Sequence, residues 1–227
     1  MQKSFTKNLL VGTISTMKKS MFISFEGGEG CGKSTHIKSL CEFLQRRGID
    51  CLVVREPGGN TISERIREIL LDGKKSANMC SKTELLLFAA ARAQLVNEVI
   101  NPALCEGKCV ISDRFYDSTM AYQGAARKLD INEVKYINDF AVSGTMPQLT
   151  LLLDIPVQEG LRRASIRDND KADRMGSQNI SFYNDVRNAF LKTAKENPQR
   201  FAVIDVSGSK EETFAKIAKA VIEKFAL

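Results

Sequence analysis

Phe22-Ile23-Ser24-Phe25-Glu26-Gly27-Gly28-Glu29-Gly30-Cys31-Gly32-Lys33-Ser34-Thr35 is the stretch on which the fold turns. Its first five residues are β-rich, apolar at Phe22, Ile23 and Phe25, its middle is dense in glycine, and its end opens a run with helical spacing, so it reads strand, turn, helix. From Gly27 to Ser34 it fits the phosphate-loop pattern G-x-x-x-x-G-K-[ST]. Glycines let successive backbone N–H groups approach phosphate oxygens, and the helix that follows points the positive end of its dipole at the same anion. Lys33 is then placed to reach the β- and γ-phosphates, and the Ser34 hydroxyl to ligate Mg2+. An accidental glycine-rich turn would not need a strand before it and a helix after it. The loop Gly27, Gly28, Glu29, Gly30, Cys31, Gly32, Lys33, Ser34, Thr35 is therefore read as the ATP site.

Outward from this segment, short β-rich runs alternate with longer helical patterns. The pattern predicts strands at 22–26, 51–55, 108–113, 149–154 and 202–206, hence an α/β fold of the P-loop NTPase type, a parallel five-stranded sheet with helices on both faces. Ligands of open α/β sheets sit beyond the carboxyl ends of the strands, so Glu26, Arg55, Asp113 and Asp154 are expected to converge on one crevice. Two further clusters lie at such ends. Arg55-Glu56-Pro57-Gly58-Gly59 puts an arginine fork beside a tight turn, suited to gripping a phosphate, although Pro-Gly-Gly alone marks only a turn. Ser112-Asp113-Arg114 offers an acidic group for the Mg2+ and a cation for an anionic acceptor, although an Asp-Arg pair is also a common structural ion pair.

Composition narrows the class. With 227 residues, 43% of them hydrophobic, the chain can bury one good core and is short for two domains. The net charge of +6 is compatible with nucleic acid, but the basic residues are scattered except around 162–174, where a polyphosphate explains them as well. Six cysteines without a C-x-x-C pair and a single histidine, His36, leave little for a zinc site and point to reduced thiols in the cytoplasm. Lys3, Lys7 and the run Leu9-Leu10-Val11 imitate a signal peptide faintly, but Gly12 and Thr13 break the run far short of the roughly 20 apolar residues of a span. Residues 1–20 are expected to be a disordered extension or a mis-called start, and no membrane partner is expected.

In order and spacing, GGEGCGKST, REPGG, ELLLFAAARAQLV, SDRFYDSTMAYQG and GLRRASIRDNDKADR resemble bacterial thymidylate kinase. The resemblance runs from Met21 to the C-terminus and implies one nucleoside monophosphate kinase domain with a short helical lid at about residues 160–178. It implies transfer of phosphoryl from ATP to dTMP, giving dTDP for dTTP synthesis. By the same resemblance dTMP is held by Glu29, Arg55, Phe88, Arg92, Arg114, Thr119, Tyr122 and Gln123. Phe88 and Arg92 are four apart in a helix expected over 81–100, so they share a face, the ring stacking on thymine and the guanidinium donating to O4. Packing in the core is the plain alternative for Phe88. Thr119 meets N3, Tyr122 lies under the sugar where a 2'-hydroxyl would collide, and Glu29 accepts from the 3'-hydroxyl. Arg55 and Arg114 hold the 5'-phosphate, with Ser34 and Asp113 at the metal. The family's catalytic groups fall on Lys33, Arg114, Arg167, Arg163 and Lys171.

Arg163, Arg167, Lys171 and Arg174 follow at steps of four, four and three, one positive stripe if the helix runs through them. A solvated charged face is the ordinary meaning of such a stripe. The phosphate loop has no basic residue at its variable positions, which in this family goes with catalytic arginines in the lid. The family is usually homodimeric, and Leu85, Leu86, Ala89, Ala93 and Val96 suit either that contact or the chain's own core. Another monophosphate or deoxynucleoside kinase is the nearest alternative, distinguished by the Phe88/Arg92 pair. A GTPase would want N-K-x-D, which is absent from the sequence, and a nucleic-acid module would not need an acceptor site.

Overall fold

The structure is a computed structural model that describes residues 20–168, 174–176 and 178–227. Five strands, β1 (Met21–Glu26), β2 (Cys51–Arg55), β3 (Cys109–Asp113), β4 (Leu149–Asp154) and β5 (Phe201–Asp205), form one parallel sheet in the order β2-β3-β1-β4-β5. The expected strand positions hold to within a residue. The last begins at Phe201, because Thr150 pairs with Phe201 and Asp154 with Asp205.

Alternation along β1 assigns the two faces of the sheet. Met21, Ile23 and Phe25 join a core with Ile37, Leu40 and Leu44 of α1 (Lys33–Gln45) and Ile217 and Val221 of α9 (Lys210–Phe225). Phe22 points the other way, to Leu95 of α3 (Ser81–Leu95) and Ile100 of the π-helical turn Val96–Ile100 that prolongs it. Farther along that face, Leu152 meets Phe182, Val186 and Phe190 of α8 (Ile180–Glu196). Strands buried on both faces are what near-continuous apolar runs such as Leu149–Asp154 encode.

The helix starts differ in a way that matters for the site. Helix α2 (Thr61–Leu71), α6 (Ile131–Val142), α8 and α9 are each capped by a side chain, from Asn60, Asp130, Asn179 and Ser209. Helix α1 starts after Gly32, whose left-handed φ of 88° closes the phosphate loop and which has no side chain to cap with. The first N–H groups of α1 are thus kept for an external anion.

The remaining helices are α4 (Asn101–Cys105), α5 (Tyr116–Thr119), which continues into the π-helical stretch Met120–Ala126, and α7 (Val157–Asp168). All six cysteines are free. Among the described residues no helix is long and apolar enough to cross a membrane. Of residues 1–20, read above as an extension, 1–19 lie outside the described residues.

Candidate active site

A cleft of about 910 Å3 opens at the carboxyl end of the sheet, between the phosphate loop, the ends of β2 and β3, and helices α3 and α7. Every expected ligand-contacting residue among the described ones lines it, except Gly27 and Gly28, which back onto a smaller adjoining cavity. Lys171 lies outside the described residues. The four strand ends do not all converge, a correction to the expected crevice. Arg55 and Asp113 line the cleft, whereas Glu26 is buried beneath it, accepting from the Phe115 N–H and the Ser118 hydroxyl. Burial and the charge of Asp117 push the Glu26 carboxyl up to about 8. Asp154 is turned away to a bidentate pair with Arg187 of α8.

In the phosphate loop the Lys33 ammonium donates to the carbonyls of Gly27 and Gly28 at 3.2 and 2.9 Å, so the buried charge is held at the floor of the cleft. The Ser34 hydroxyl donates to Asp113 Oδ2 at 3.4 Å. Hydroxyl and carboxylate are hard oxygen donors, and Mg2+ takes few protein ligands beside phosphates and water, so this pair fits it. Gly30 has a left-handed φ of 66°, and a Cβ there would lie 2.0 Å from the Gly160 carbonyl oxygen of α7. Loop and helix therefore touch backbone to backbone. Gly30→Ala is expected to cost about 1–3 kcal/mol of stability and to weaken ATP binding at least tenfold. Thermal melts and ATP titration check this, and native values in both would contradict the packing.

The other half of the cleft is built around Arg92, whose side chain is 1% exposed. Its Nε and Nη2 both donate to Glu56 Oε2, Nη1 donates to Thr119 Oγ1 and Asn138 Oδ1, and Nη2 also to the Phe115 carbonyl. All five N–H donors of the guanidinium are engaged. Phe88, one turn earlier on α3, is half-buried on the cleft wall rather than packed in the core. Gln123 is buried and donates to Glu84 Oε1 at 2.8 Å. Between the halves, Arg114 adopts a left-handed φ of 69° and donates to Glu29 Oε1 at 2.7 Å and the Gly27 carbonyl at 3.0 Å. Tyr122 donates to the same Glu29 oxygen at 3.4 Å, under the Arg114 guanidinium. Burial opposes charge on Glu29, yet Arg114, Lys33 and Arg167 hold its carboxyl below the ordinary range. Arg55 is clamped by both oxygens of Glu64 at the rim.

Arg163 and Arg167 lie on α7 and line the cleft, Arg163 also bonding Glu159. Arg174 does not continue the expected stripe: it sits in a turn, whereas Arg163 and Arg167 lie on α7, described as far as Asp168. Its guanidinium is taken by the buried carboxylate of Glu84 at 2.7 Å and by the Leu70 carbonyl at the end of α2. Leu85, Ala89 and Val96 are buried in the chain itself, while Leu86 is open. Sequence reasoning missed Glu56, Glu84, Asn138 and Arg67, the last a cleft residue of α2 that donates to the Pro57 carbonyl. The acidic residue of Arg55-Glu56-Pro57 was the available signal for the first of them.

A phosphate loop, a second anion-binding region facing it and an arginine-bearing helix above both are the parts of a phosphoryl-transfer site. The sequence model for thymidylate kinase matches residues 25–217. The thymidylate kinase of Geotalea uraniireducens is 48% identical over 209 residues, 90% of this chain and 98% of that protein. That of Fervidobacterium nodosum is 45% identical over 199 residues, 88% of this chain and 97% of its own. The crystal structure of thymidylate kinase from Ehrlichia chaffeensis superposes with a TM-score of 0.73 at 32% identity, over 89% of this chain and 98% of that one. The phosphate loop, the facing pocket and these likenesses agree: the chain belongs to the thymidylate kinase family.

Proposed function

We propose that this member of the family moves the γ-phosphoryl group of ATP in line onto the 5'-phosphate of dTMP, with ATP on the loop 27–35 and dTMP in the pocket of Phe88, Arg92, Thr119, Tyr122 and Gln123. The observation that carries this reading is the Arg114–Glu29 pair, which joins the phosphate loop to the opposite pocket at 2.7 Å. It supports a reading in which an acceptor phosphate lies on Arg114, with Arg55 at the rim, and a sugar hydroxyl bonds Glu29. The acceptor is already an ionised phosphate, so no strong general base is required. What the chain must supply is alignment and neutralisation of the charge that spreads over the transferring oxygens.

Lys33 and Arg114 supply fixed charge, and Arg167, backed by Arg163 and Lys171, approaches from a lid at about residues 160–178. Ser34 and Asp113 would hold Mg2+, which when bound screens the phosphate charges. Because each Arg92 N–H already meets a protein acceptor, thymine O4 shares the Nη1 hydrogen now given to Thr119. An amino group at that edge, as in cytosine, would set donor against donor. Phe88 stacks on the ring, and the buried Tyr122 closes the space a 2'-hydroxyl would need.

The enzyme acts in the cytoplasm, where its six free thiols stay reduced, and as a homodimer. Leu86 of α3 and Tyr136 and Phe140 of α6 are 56%, 76% and 82% exposed on two helices that pack together beside the acceptor pocket, an apolar surface of the kind that associates. Single-turnover formation of dTDP tests the lid assignment. Arg167→Ala is expected to slow it by about a hundredfold and Arg163→Ala by less, with dTMP affinity unchanged in both. Equal, small effects of the two would remove the lid from the chemistry.

A further inference from the structure

Glu84, Phe88 and Arg92 stand four apart on α3, and Thr119, Gln123 and Arg127 follow at the same spacing on the facing segment. The two stripes meet rung by rung. Arg92 Nη1 donates to Thr119 Oγ1 at one end and Gln123 Nε2 donates to Glu84 Oε1 at 2.8 Å at the other, with Phe88 between them on α3. Arg127 spans both Glu84 oxygens at 3.2 and 3.1 Å, and Arg174 Nη1 donates to Oε2 at 2.7 Å. Glu84 is 1% exposed and sits in the first turn of α3, where the helix dipole favours negative charge. Burial opposes that charge, but the hydrogen bonds from Arg127, Gln123 and Arg174 hold its carboxyl below the ordinary range, so at neutral pH it is an ionised group that only accepts.

An acceptor-only partner decides which way the Gln123 amide faces. Its NH2 must turn to Glu84, and its carbonyl oxygen, Oε1, turns away. Among the described residues no donor reaches Oε1, and it is not one of the sealed, unpartnered polar atoms, so in a residue that lines the cleft this oxygen is open to the cleft. The sense matters because an amide is ambidextrous: oxygen and NH2 have nearly the same shape, and half a turn exchanges acceptor for donor. The edge of thymine runs acceptor, donor, acceptor over O4, N3–H and O2. That of cytosine runs donor, acceptor, acceptor over its amino group, N3 and O2. An unanchored glutamine would suit N3 of either base, whereas one held with its oxygen outward suits thymine alone.

We propose that Glu84 is a positioning residue that sets base specificity: it holds the Gln123 amide in the sense that offers Oε1 to the N3–H of thymine and closes the flipped sense that would take cytosine. The N3–H is shared with the Thr119 oxygen, one turn earlier on the same segment. Arg92 and Gln123 thus read adjacent atoms of one edge, O4 and N3, each oriented by a buried carboxylate, Glu56 behind the first and Glu84 behind the second. This rests on the assignment of dTMP to this pocket.

The test is kcat/KM for dTMP, dUMP and dCMP with ATP and magnesium in the full-length protein. Because dUMP carries the same O4 and N3–H as dTMP, it reports any general loosening of the pocket, whereas dCMP reports the sense of the amide. In Glu84→Gln the preference for dTMP over dCMP is expected to fall about tenfold, with that for dTMP over dUMP changed by less than about twofold. Gln123→Met is expected to show the same fall, and adding Glu84→Gln to it no more than about a further twofold, since the two act as one unit. Exchanging the pair, Glu84→Gln with Gln123→Glu, is expected to restore the preference to within about threefold of the parent, because a carboxylate at position 123 turns only acceptors to the cleft. Undiminished preference in folded Glu84→Gln, an equal fall against dUMP and dCMP, or an exchanged pair that folds without restoring it overturns the proposal. So does parent selectivity in Gln123→Met, which keeps Glu84 with both its arginines and answers the question even where Glu84→Gln fails to fold. A parent protein that takes dCMP as readily as dTMP overturns the base assignment and this proposal together.

Discussion

Lys33→Met is expected to lower kcat by about a thousandfold while the protein folds normally and dTMP binds within about threefold of the parent affinity. Lys33 is 8% exposed as a residue, and its ammonium donates only to loop carbonyls and, at 3.5 Å, to Cys31 Sγ among the described residues, without a carboxylate bonded to it. A buried ammonium facing neutral carbonyls is poised for an anion that completes its coordination. Methionine keeps the length and apolar stem but removes the charge, so the loss falls on stabilisation of the transferring phosphoryl group rather than on packing. Steady-state rates, dTMP titration and a thermal melt separate these effects, and a loss under tenfold would contradict the role given to Lys33.

Arg92→Ala is expected to cost about 3–5 kcal/mol of stability, because it strands a buried carboxylate. Glu56 is 7% exposed, and among the described residues its second oxygen, Oε1, has no hydrogen-bond partner. Even with Arg92 in place, burial pushes the Glu56 carboxyl above the ordinary range, with Arg92 opposing it. For a chain of this size the melting temperature should fall by about 6–20 °C. The sign of the pH dependence follows. A carboxyl whose pKa is raised by folding contributes stability at acid pH and loses it as pH rises through the folded value. The deficit of Arg92→Ala should therefore grow from the ordinary carboxylate range towards neutral pH. Adding Glu56→Leu should recover at least half of it, since most of the cost is the stranded charge. A deficit that is independent of pH and additive with Glu56→Leu would show that the pair does not act as described.

The surroundings of Lys33 and of Arg92 show what a sequence can and cannot disclose. The phosphate loop is legible because all its parts are local: glycines, lysine and serine within a dozen residues do their work through backbone turns. The strands are legible for the same reason, each an apolar run ending at a polar residue. Arg92 and Phe88 are legible as a pair on one helical face. Its satisfaction by Glu56, Thr119, Asn138 and Phe115 is not, because those partners lie 23 to 46 residues away and are joined only by tertiary packing.

Two misreadings share that cause. Arg174 carries the right spacing to extend the stripe of α7, but a carboxylate 90 residues earlier in the chain takes its guanidinium. Glu26 and Asp154 end strands as Arg55 and Asp113 do, yet Ser118 and Arg187 turn them into internal struts. Spacing along one element tells which side chains travel together. It does not tell which of them find a partner first.

The most direct measurement is phosphoryl transfer from ATP with magnesium to a panel of dTMP, dUMP, dCMP, dGMP, dAMP and UMP, read as ADP release and as the diphosphate product. The account predicts dTDP as the principal product, with kcat/KM for dTMP at least about tenfold above that for any other acceptor and the sharpest exclusion at dCMP, whose amino group meets Arg92 donor to donor. Equal or faster turnover of dCMP or of a purine monophosphate would leave a kinase standing but contradict the reading of the Phe88, Arg92 and Thr119 pocket.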